Sequence, residues 1–295
     1  QTLHRLSRDD TARLGKAWVT GAAGLIGSYL VRLAEICSPM FEVIPLTRAD
    51  LDLTDFAAVE QRFLADRPRL IIHCAAMSKT TDCQASPAAA WRINVEATAR
   101  LAELAAGSGF IFFSTDLVFD GRKGNYVETD AANPLSVYGE TKLAAEALVA
   151  RNDRHTVMRT SLNSGVSPSG KSGYNEQFRA AWAEGKTLRL FYDEYRSPIS
   201  ATVTARAIWQ LAHDPPGGIW HLAGAERLSR VQIGQLLAAR HPELNARLES
   251  CSLREYQGAP RPADTSLNCA KLQARLKFRL PGLTDWLREN PADEF

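Results

Sequence analysis

Ala17-Trp18-Val19-Thr20-Gly21-Ala22-Ala23-Gly24-Leu25-Ile26-Gly27 is the stretch whose reading decides the fold. A short apolar run reads as a strand, a glycine-rich turn follows, and Leu25, Ile26, Leu30, Leu33 and Ala34 then recur at helical spacing. The glycines are spaced G-x-x-G-x-x-G, one residue wider than the usual G-x-G-x-x-G. The physical requirements are the same: a tight turn, close approach of backbone to a pyrophosphate, and a helix N-terminus aimed at the anion. The competing reading is a ligand-free β-α turn. The strand-turn-helix context favours a dinucleotide site at Gly21, Gly24 and Gly27.

Outward from this turn, apolar runs at Val43–Leu46, Leu70–Cys74, Phe110–Ser114, Thr156–Thr160 and Gly218–Leu222 alternate with helical patterns. The helices are expected at 25–36, 55–66, 87–106, 136–150 and 202–213. Continuous apolar strands separated by helices predict an α/β fold, a doubly wound parallel sheet covered on both faces. Ligands of such sheets sit at the carboxyl ends of the strands, where Gly21, Thr47, Ala75 and Ser114 fall. Past Thr160 the rhythm loosens: residues 162–175 hold three Gly, four Ser and a Pro and read as a long loop. The reading divides the chain into a Rossmann domain, 16–161 with 202–224, and a smaller substrate lobe, 162–201 with 225–295. Residues 1–15 are expected to be an N-terminal extension, a short helical arm or a loose segment.

On the expected 136–150 helix, Tyr138 and Lys142 are four residues apart and share a face, downstream of Thr115 at the fourth strand end. A free phenol has a pKa near ~10, so an adjacent ammonium is expected to bring Tyr138 into range for proton exchange. A Thr115 hydroxyl would hold the oxygen that trades the proton. Tyr-x-x-x-Lys alone is a weak signal, and the preceding glycine turn strengthens it. Arg48 follows the second strand where an acid would bind the 2′-hydroxyl of NAD; a guanidinium there suits a 2′-phosphate, so NADP(H) is preferred and NAD(H) left open.

The bulk properties exclude other classes. The chain has 295 residues, 45% hydrophobic and 23% charged, with net charge +2, which offers neither nucleic acid nor an anionic membrane a general attraction. No apolar run approaches the ~20 residues of a membrane span. The five cysteines, Cys37, Cys74, Cys83, Cys251 and Cys269, lack metal-ligand spacing, so reduced thiols and a cytoplasmic location are expected. His73 and His221 lie in apolar runs and read as satisfied core histidines.

Phe113-Ser114-Thr115-Asp116-Leu117-Val118-Phe119-Asp120-Gly121, Glu128-Thr129-Asp130, Asn133 through Lys142, Met158-Arg159-Thr160-Ser161, Ser197-Pro198 and Arg261 through Asn268 together resemble an extended short-chain dehydrogenase/reductase, most closely the dTDP-4-dehydrorhamnose reductase family. The resemblance spans roughly 16–290 and implies NAD(P)H-dependent reduction of the 4-keto group of a nucleotide-diphosphate deoxysugar. It implies that Leu25 and Ile26 join the glycines at the cofactor, with Asp52 and Leu53 at the adenine. Cys74, Ala75, Ala76 and Asn94 would line the cofactor toward its nicotinamide end, and Tyr138 and Lys142 would hold the ribose. Thr115, Asp116, Val118, Asn163, Arg196 and Arg261 would face the substrate. Among these, Asp116 is open between a sugar contact and a loop-fixing role, and Arg196 between a diphosphate clamp and an ion pair. Asp52 alternatively caps the 55–66 helix, where Thr54 suits the cap better.

Three departures from the family pattern fall in substrate-facing segments. Leu162-Asn163-Ser164 replaces an aromatic run, Thr81 and Gln84 replace an acidic pair, and Arg196 replaces a glycine. Two other functions therefore stand beside the reductase. One is an epimerase or 4,6-dehydratase of the same fold, against which Leu117 stands where a dehydratase carries Glu. The other is a non-catalytic regulatory subunit resembling the β subunit of methionine adenosyltransferase. Alanine-rich faces on 87–106 and 136–150 point to a homodimer paired through these helices.

Overall fold

The computed structural model describes residues 15–293; the expected N-terminal extension, except for Gly15, lies outside the described residues. Strands β1 (Gly15–Thr20), β2 (Phe41–Leu46), β3 (Leu70–His73), β4 (Gly109–Thr115) and β5 (Thr156–Thr160) join Gly218–Leu222 in one parallel sheet. Its spatial order is Gly218–Leu222, β5, β4, β3, β1, β2. The chain leaves β1 toward β2 and returns to the other side as β3. The carboxyl ends of β1 and β3 therefore flank the topological switch point, where such sheets bind ligands.

Alternate residues of each strand enter two separate cores. Ala17, Val19, Ile72, Ile111 and Met158 pack with Leu30 of helix α1 (Leu25–Cys37) and with Val203 and Trp209 of Ala201–Leu211. Trp18, Ile71, Phe110, Phe112 and Val157 pack on the other face with Val59, Leu101, Ala145 and Val149. These come from helices α2 (Phe56–Asp66), α5 (Ala97–Leu104) and α6 (Val137–Val149). The strands read as unbroken apolar runs because both faces are covered. Each fully buried large apolar side chain contributes about 1.5–3 kcal/mol relative to exposure.

Helix α2 is capped by Asp55, which accepts from Ala58 N at 3.0 Å. Thr54, the expected cap, instead donates its amide and hydroxyl to Asp52 at 2.9 and 2.8 Å. The carboxylate accepts directly from the first turn, and the hydroxyl is drawn into the preceding Asx turn. Several elements escaped the sequence reading, among them one helix and one strand. Helix α3 (Thr80–Ala85) is a six-residue element too short for an apolar period, and Arg247–Cys251 is a strand parallel to Thr187–Phe191. In the latter only Cys251 is buried and burial does not alternate, so its sequence carries little strand signal.

Beyond the main sheet the chain makes small pairings: Tyr195–Arg196 with Leu228–Ser229, Asn163–Ser164 with Ile199–Ser200, and a bridge from Tyr195 to Asp264. The Gly/Ser-rich loop is tied down by the Glu176 carboxylate, which accepts from Ser167 N at 2.8 Å and Gly173 N at 2.7 Å. Tyr29 in α1 pins the same loop, its hydroxyl accepting from Val166 N at 3.0 Å. Of the alanines expected at an interface, Ala97, Ala102, Ala105 and Ala145 are buried within the fold, whereas Ala88, Ala89, Ala106 and Ala147 are exposed. Among the described residues no helix is long and apolar enough to cross a membrane, and no His/Cys/Asp/Glu group has metal-ligand geometry.

Candidate active site

Gly21 ends β1 at φ +68°, a left-handed conformation that suits glycine, and a Cβ there would meet Ala75 N at 2.7 Å. Gly27 presses on the Gly21 carbonyl so closely that any side chain would collide with it. The tight turn is closed by Gly24 N donating to Gly21 O at 2.8 Å. Gly24 stands at the N-cap of α1 without a side-chain cap, and the helix has no acidic residue in its first turn. The amides of that turn are thus available to an anion, as a dinucleotide pyrophosphate requires. Cys74, Ala75 and Ala76 are half-buried directly after β3, beside this turn.

Arg48 and Asp52 follow β2. Arg48 is exposed and close enough to Asp52 for its charge to lower that carboxyl, although the amide and hydroxyl of Thr54 lower it more. Leu51 is buried and Leu53 half-buried against the second core.

Asn94 lies in a π-helical turn, Arg92–Glu96, between helix α4 (Pro87–Trp91) and α5. Such one-turn bulges break the regular ladder and recur at functional sites. The buried amide donates to Met77 O at 3.1 Å and Thr141 Oγ1 at 3.0 Å, and its oxygen accepts from Met77 N at 2.8 Å. Asn94 thereby ties the loop after β3 to α6, the helix of Tyr138 and Lys142. His73 is the satisfied core histidine expected, set between Thr20 Oγ1 at 2.7 Å and Thr98 Oγ1 at 3.0 Å. His221 is satisfied on one side: Nδ1 meets Tyr126 O at 3.1 Å, while buried Nε2 has no partner.

Ser136 caps α6 by accepting from Gly139 N at 3.3 Å. Gly139 lets the first turn lie against the Leu117 carbonyl, which brings Tyr138 to Thr115 at the end of β4. Burial pushes the Tyr138 phenol above its ordinary range, with the Asp116 and Cys83 charges acting the same way; the Thr115 hydroxyl and Arg196 pull it back. The expectation that the phenol is brought down toward neutral pH is therefore corrected: its shift is upward, and Lys142 sets its Nζ over the Phe112 ring, 4.0 Å from the centroid. Burial lowers Lys142 itself to about 7, against the attraction of Glu146.

The expected substrate residues are redistributed. Asp116 is fully buried and receives the Arg196 fork, Nε at 2.7 Å and Nη2 at 2.6 Å, with Ser161 Oγ at 2.7 Å and Thr265 Oγ1 at 3.1 Å. In this structure Asp116 and Arg196 are each other's ion-pair partners. Val118 is wholly buried among Phe119, Tyr126, Ala223 and Leu267, so its side chain belongs to a core rather than a cleft. The Asn163 amide is used on both sides, donating to Thr160 Oγ1 at 2.9 Å and accepting from Thr204 Oγ1 at 2.6 Å. Arg261, 36% exposed along its side chain, meets Glu194 through Nε at 3.0 Å and Nη2 at 2.9 Å.

Sequence reasoning missed Glu194, Glu146 and Arg159. Glu146 and Arg159 form a buried pair, Nη2 to Oε2 at 2.6 Å, where α6 meets β4 and β5. The i+4 spacing of Glu146 from Lys142 was the available signal.

A glycine turn at the switch point, with Thr, Tyr and Lys on the same rim, defines an extended short-chain dehydrogenase/reductase. The comparisons with known proteins agree. Residues 15–291 match the family described as the RmlD substrate binding domain, and the chain belongs to that family, the dTDP-4-dehydrorhamnose reductase family. It is 32% identical over 278 residues to a dTDP-4-dehydrorhamnose reductase of Sinorhizobium fredii, covering 89% of this chain and 92% of that protein. It is 30% identical over 286 residues to methionine adenosyltransferase 2 subunit beta of Xenopus laevis, covering 90% of this chain and 84% of that protein. A solved dTDP-4-dehydrorhamnose reductase of Bacillus anthracis in complex with NADP shares the fold at TM-score 0.85 and 23% identity, over 93% of this chain and 98% of that one.

Proposed function

We propose that this chain is an NADPH-dependent reductase of the 4-keto group of a nucleotide-activated deoxysugar, with the Sinorhizobium relative's reaction as the leading candidate. The observation that carries the reading is the convergence of Thr115 and Tyr138 on one rim with the uncapped α1 turn. The first-turn amides at Leu25, Ile26 and Gly27 would hold the pyrophosphate, Arg48 the 2′-phosphate, and Lys142 the ribose next to the nicotinamide. Bound NADPH supplies a hydride to the carbonyl carbon.

The chain's own residues supply the proton and the orientation. A phenol kept above its ordinary range is protonated at neutral pH, which is the form a proton donor needs. Tyr138 gives its proton to the carbonyl oxygen as negative charge develops there. Thr115 fixes that oxygen from the strand side. The lobe of 162–201 and 225–295 closes over the rim, where Arg261 would exchange Glu194 for the substrate diphosphate.

The test follows NADPH absorbance with freshly generated dTDP-4-keto-6-deoxysugars. Parent protein is expected to oxidise NADPH, and Tyr138→Phe to lose roughly 10²–10⁴-fold in turnover with cofactor affinity nearly intact. Near-normal turnover in the phenylalanine variant overturns the mechanism. The similarity to methionine adenosyltransferase 2 subunit beta supports a second reading, a non-catalytic subunit. Absence of turnover with every nucleotide sugar, together with stable binding to a larger enzyme, decides for it.

A further inference from the structure

The face of α6 that carries Tyr138 and Lys142 continues one turn further to Glu146, a carboxylate the proton-donor scheme leaves unused. It is 3% exposed, at the contact of α6 with β4 and β5. Three groups hold it: Ser114 Oγ donates to Oε1 at 2.5 Å, Arg159 Nε to Oε1 at 3.0 Å, and Arg159 Nη2 to Oε2 at 2.6 Å. Arg159 is itself confined, its guanidinium 5.0 Å from the Phe119 ring centroid and its Nη1 buried without a partner. Burying an ion pair this deeply is a costly way to gain stability, since apolar residues of similar volume commonly do as well or better.

Lys142 is 2% exposed and rests its Nζ on Phe112, the β4 residue two before Ser114. The titratable groups facing it from the neighbouring strand are His73 and Cys74. Burial drives His73 down to about 3 and Cys74 well above its ordinary range, so both are uncharged near neutrality. From α6 itself come Tyr138, neutral for the reason already given, and Glu146. The opposite charge that reaches Lys142 is therefore that of Glu146.

We propose that Glu146, fixed by Ser114 and Arg159, is a positioning residue that favours the ammonium form of Lys142 in its buried seat beside Tyr138. The attraction of Glu146 acting against burial at Lys142 is consistent with this. The inference rests on the reductase reading only in giving Lys142 a cofactor to meet.

The test is a titration of the protein without cofactor, using lysines labelled with ¹³C at Cε. The chain has eight lysines, and Lys142→Met assigns the signal of interest. In the parent, Lys142 is expected to titrate at about 7. In Glu146→Gln the midpoint should fall by about one pH unit or more, a tenfold loss in proton affinity. The single variant leaves Arg159 as an unpaired buried cation, so Glu146→Gln/Arg159→Met is titrated as well. It buries no lone ion, and its midpoint should also fall. The other lysine signals report whether each variant is folded. A Lys142 midpoint that stays at the parental value in a folded variant overturns the proposal, because a purely structural Glu146 would not move it. NADPH fluorescence titrations separate the two readings: shifted midpoints in a protein that binds no NADPH would leave this role standing and remove the reductase.

Discussion

Asp116 and Arg196 form a two-pronged ion pair, Oδ2 to Nε at 2.7 Å and Oδ1 to Nη2 at 2.6 Å, joining the residue after Thr115 to the lobe above the sheet. Ser161, Thr265 and, at 3.2 Å, the Thr115 hydroxyl also donate to the carboxylate, so a charge with no exposed surface is fully hydrogen-bonded. Asp116→Ala is expected to destabilise the protein by about 3–5 kcal/mol, because Arg196 remains buried without its partner. Asp116→Asn/Arg196→Met should recover most of that loss. Urea unfolding checks both, and a single variant as stable as the parent would show that the pair contributes nothing.

Cofactor choice is expected to turn on Arg48. Its exposed guanidinium beside Asp52 is expected to favour NADPH over NADH, and Arg48→Ala to weaken NADPH selectively by roughly fivefold, the modest size of a wet charge contact. Fluorescence titration with both cofactors decides it. Equal curves for NADPH and NADH in the parent refute the assignment.

Lys142 makes stability depend on pH. Its native value is about 7, below the 10.5 of an unperturbed lysine. Across that window the unfolded chain holds a proton the native chain has released, so this group's contribution to stability rises with pH. Below the window both states are protonated and the native state carries the whole desolvation cost. Relative to Lys142→Met, the parent should therefore gain stability between neutral pH and the alkaline end. Parallel stability profiles for the two proteins would contradict the burial of a titrating lysine.

Arg261 now pairs with Glu194, and a substrate diphosphate would have to take that carboxylate's place. Arg261→Ala is expected to raise KM for the nucleotide sugar more than it lowers kcat, since the diphosphate lies away from the reacting carbonyl. Lysine should rescue only partly, lacking the planar fork. An unchanged KM would leave Arg261 a structural partner of Glu194.

Assembly is expected through the exposed side of the helices around Ala88, Ala89 and Ala147, where Trp91 is 46% exposed. Trp91→Glu should convert a homodimer into a monomer in light scattering. A parent protein monomeric at micromolar concentration ends the proposal.

The glycine turn and the alternation of apolar runs determined the sheet, because only a covered parallel strand is apolar on both faces and only glycine fits Gly21 and Gly27. Tyr138 and Lys142 were legible through helical spacing, and His73 through its apolar setting. What sequence could not decide was the company each charge keeps. Arg196 and Asp116 are 80 residues apart along the chain, and Arg261 and Glu194 are 67 apart. Nothing in the local pattern of either partner records the other, and an arginine suited to phosphate is equally suited to carboxylate. The direction of the Tyr138 shift is likewise a tertiary property. Helical spacing puts Lys142 on the same face, but packing turns its ammonium onto Phe112 and lets burial and Asp116 govern the phenol.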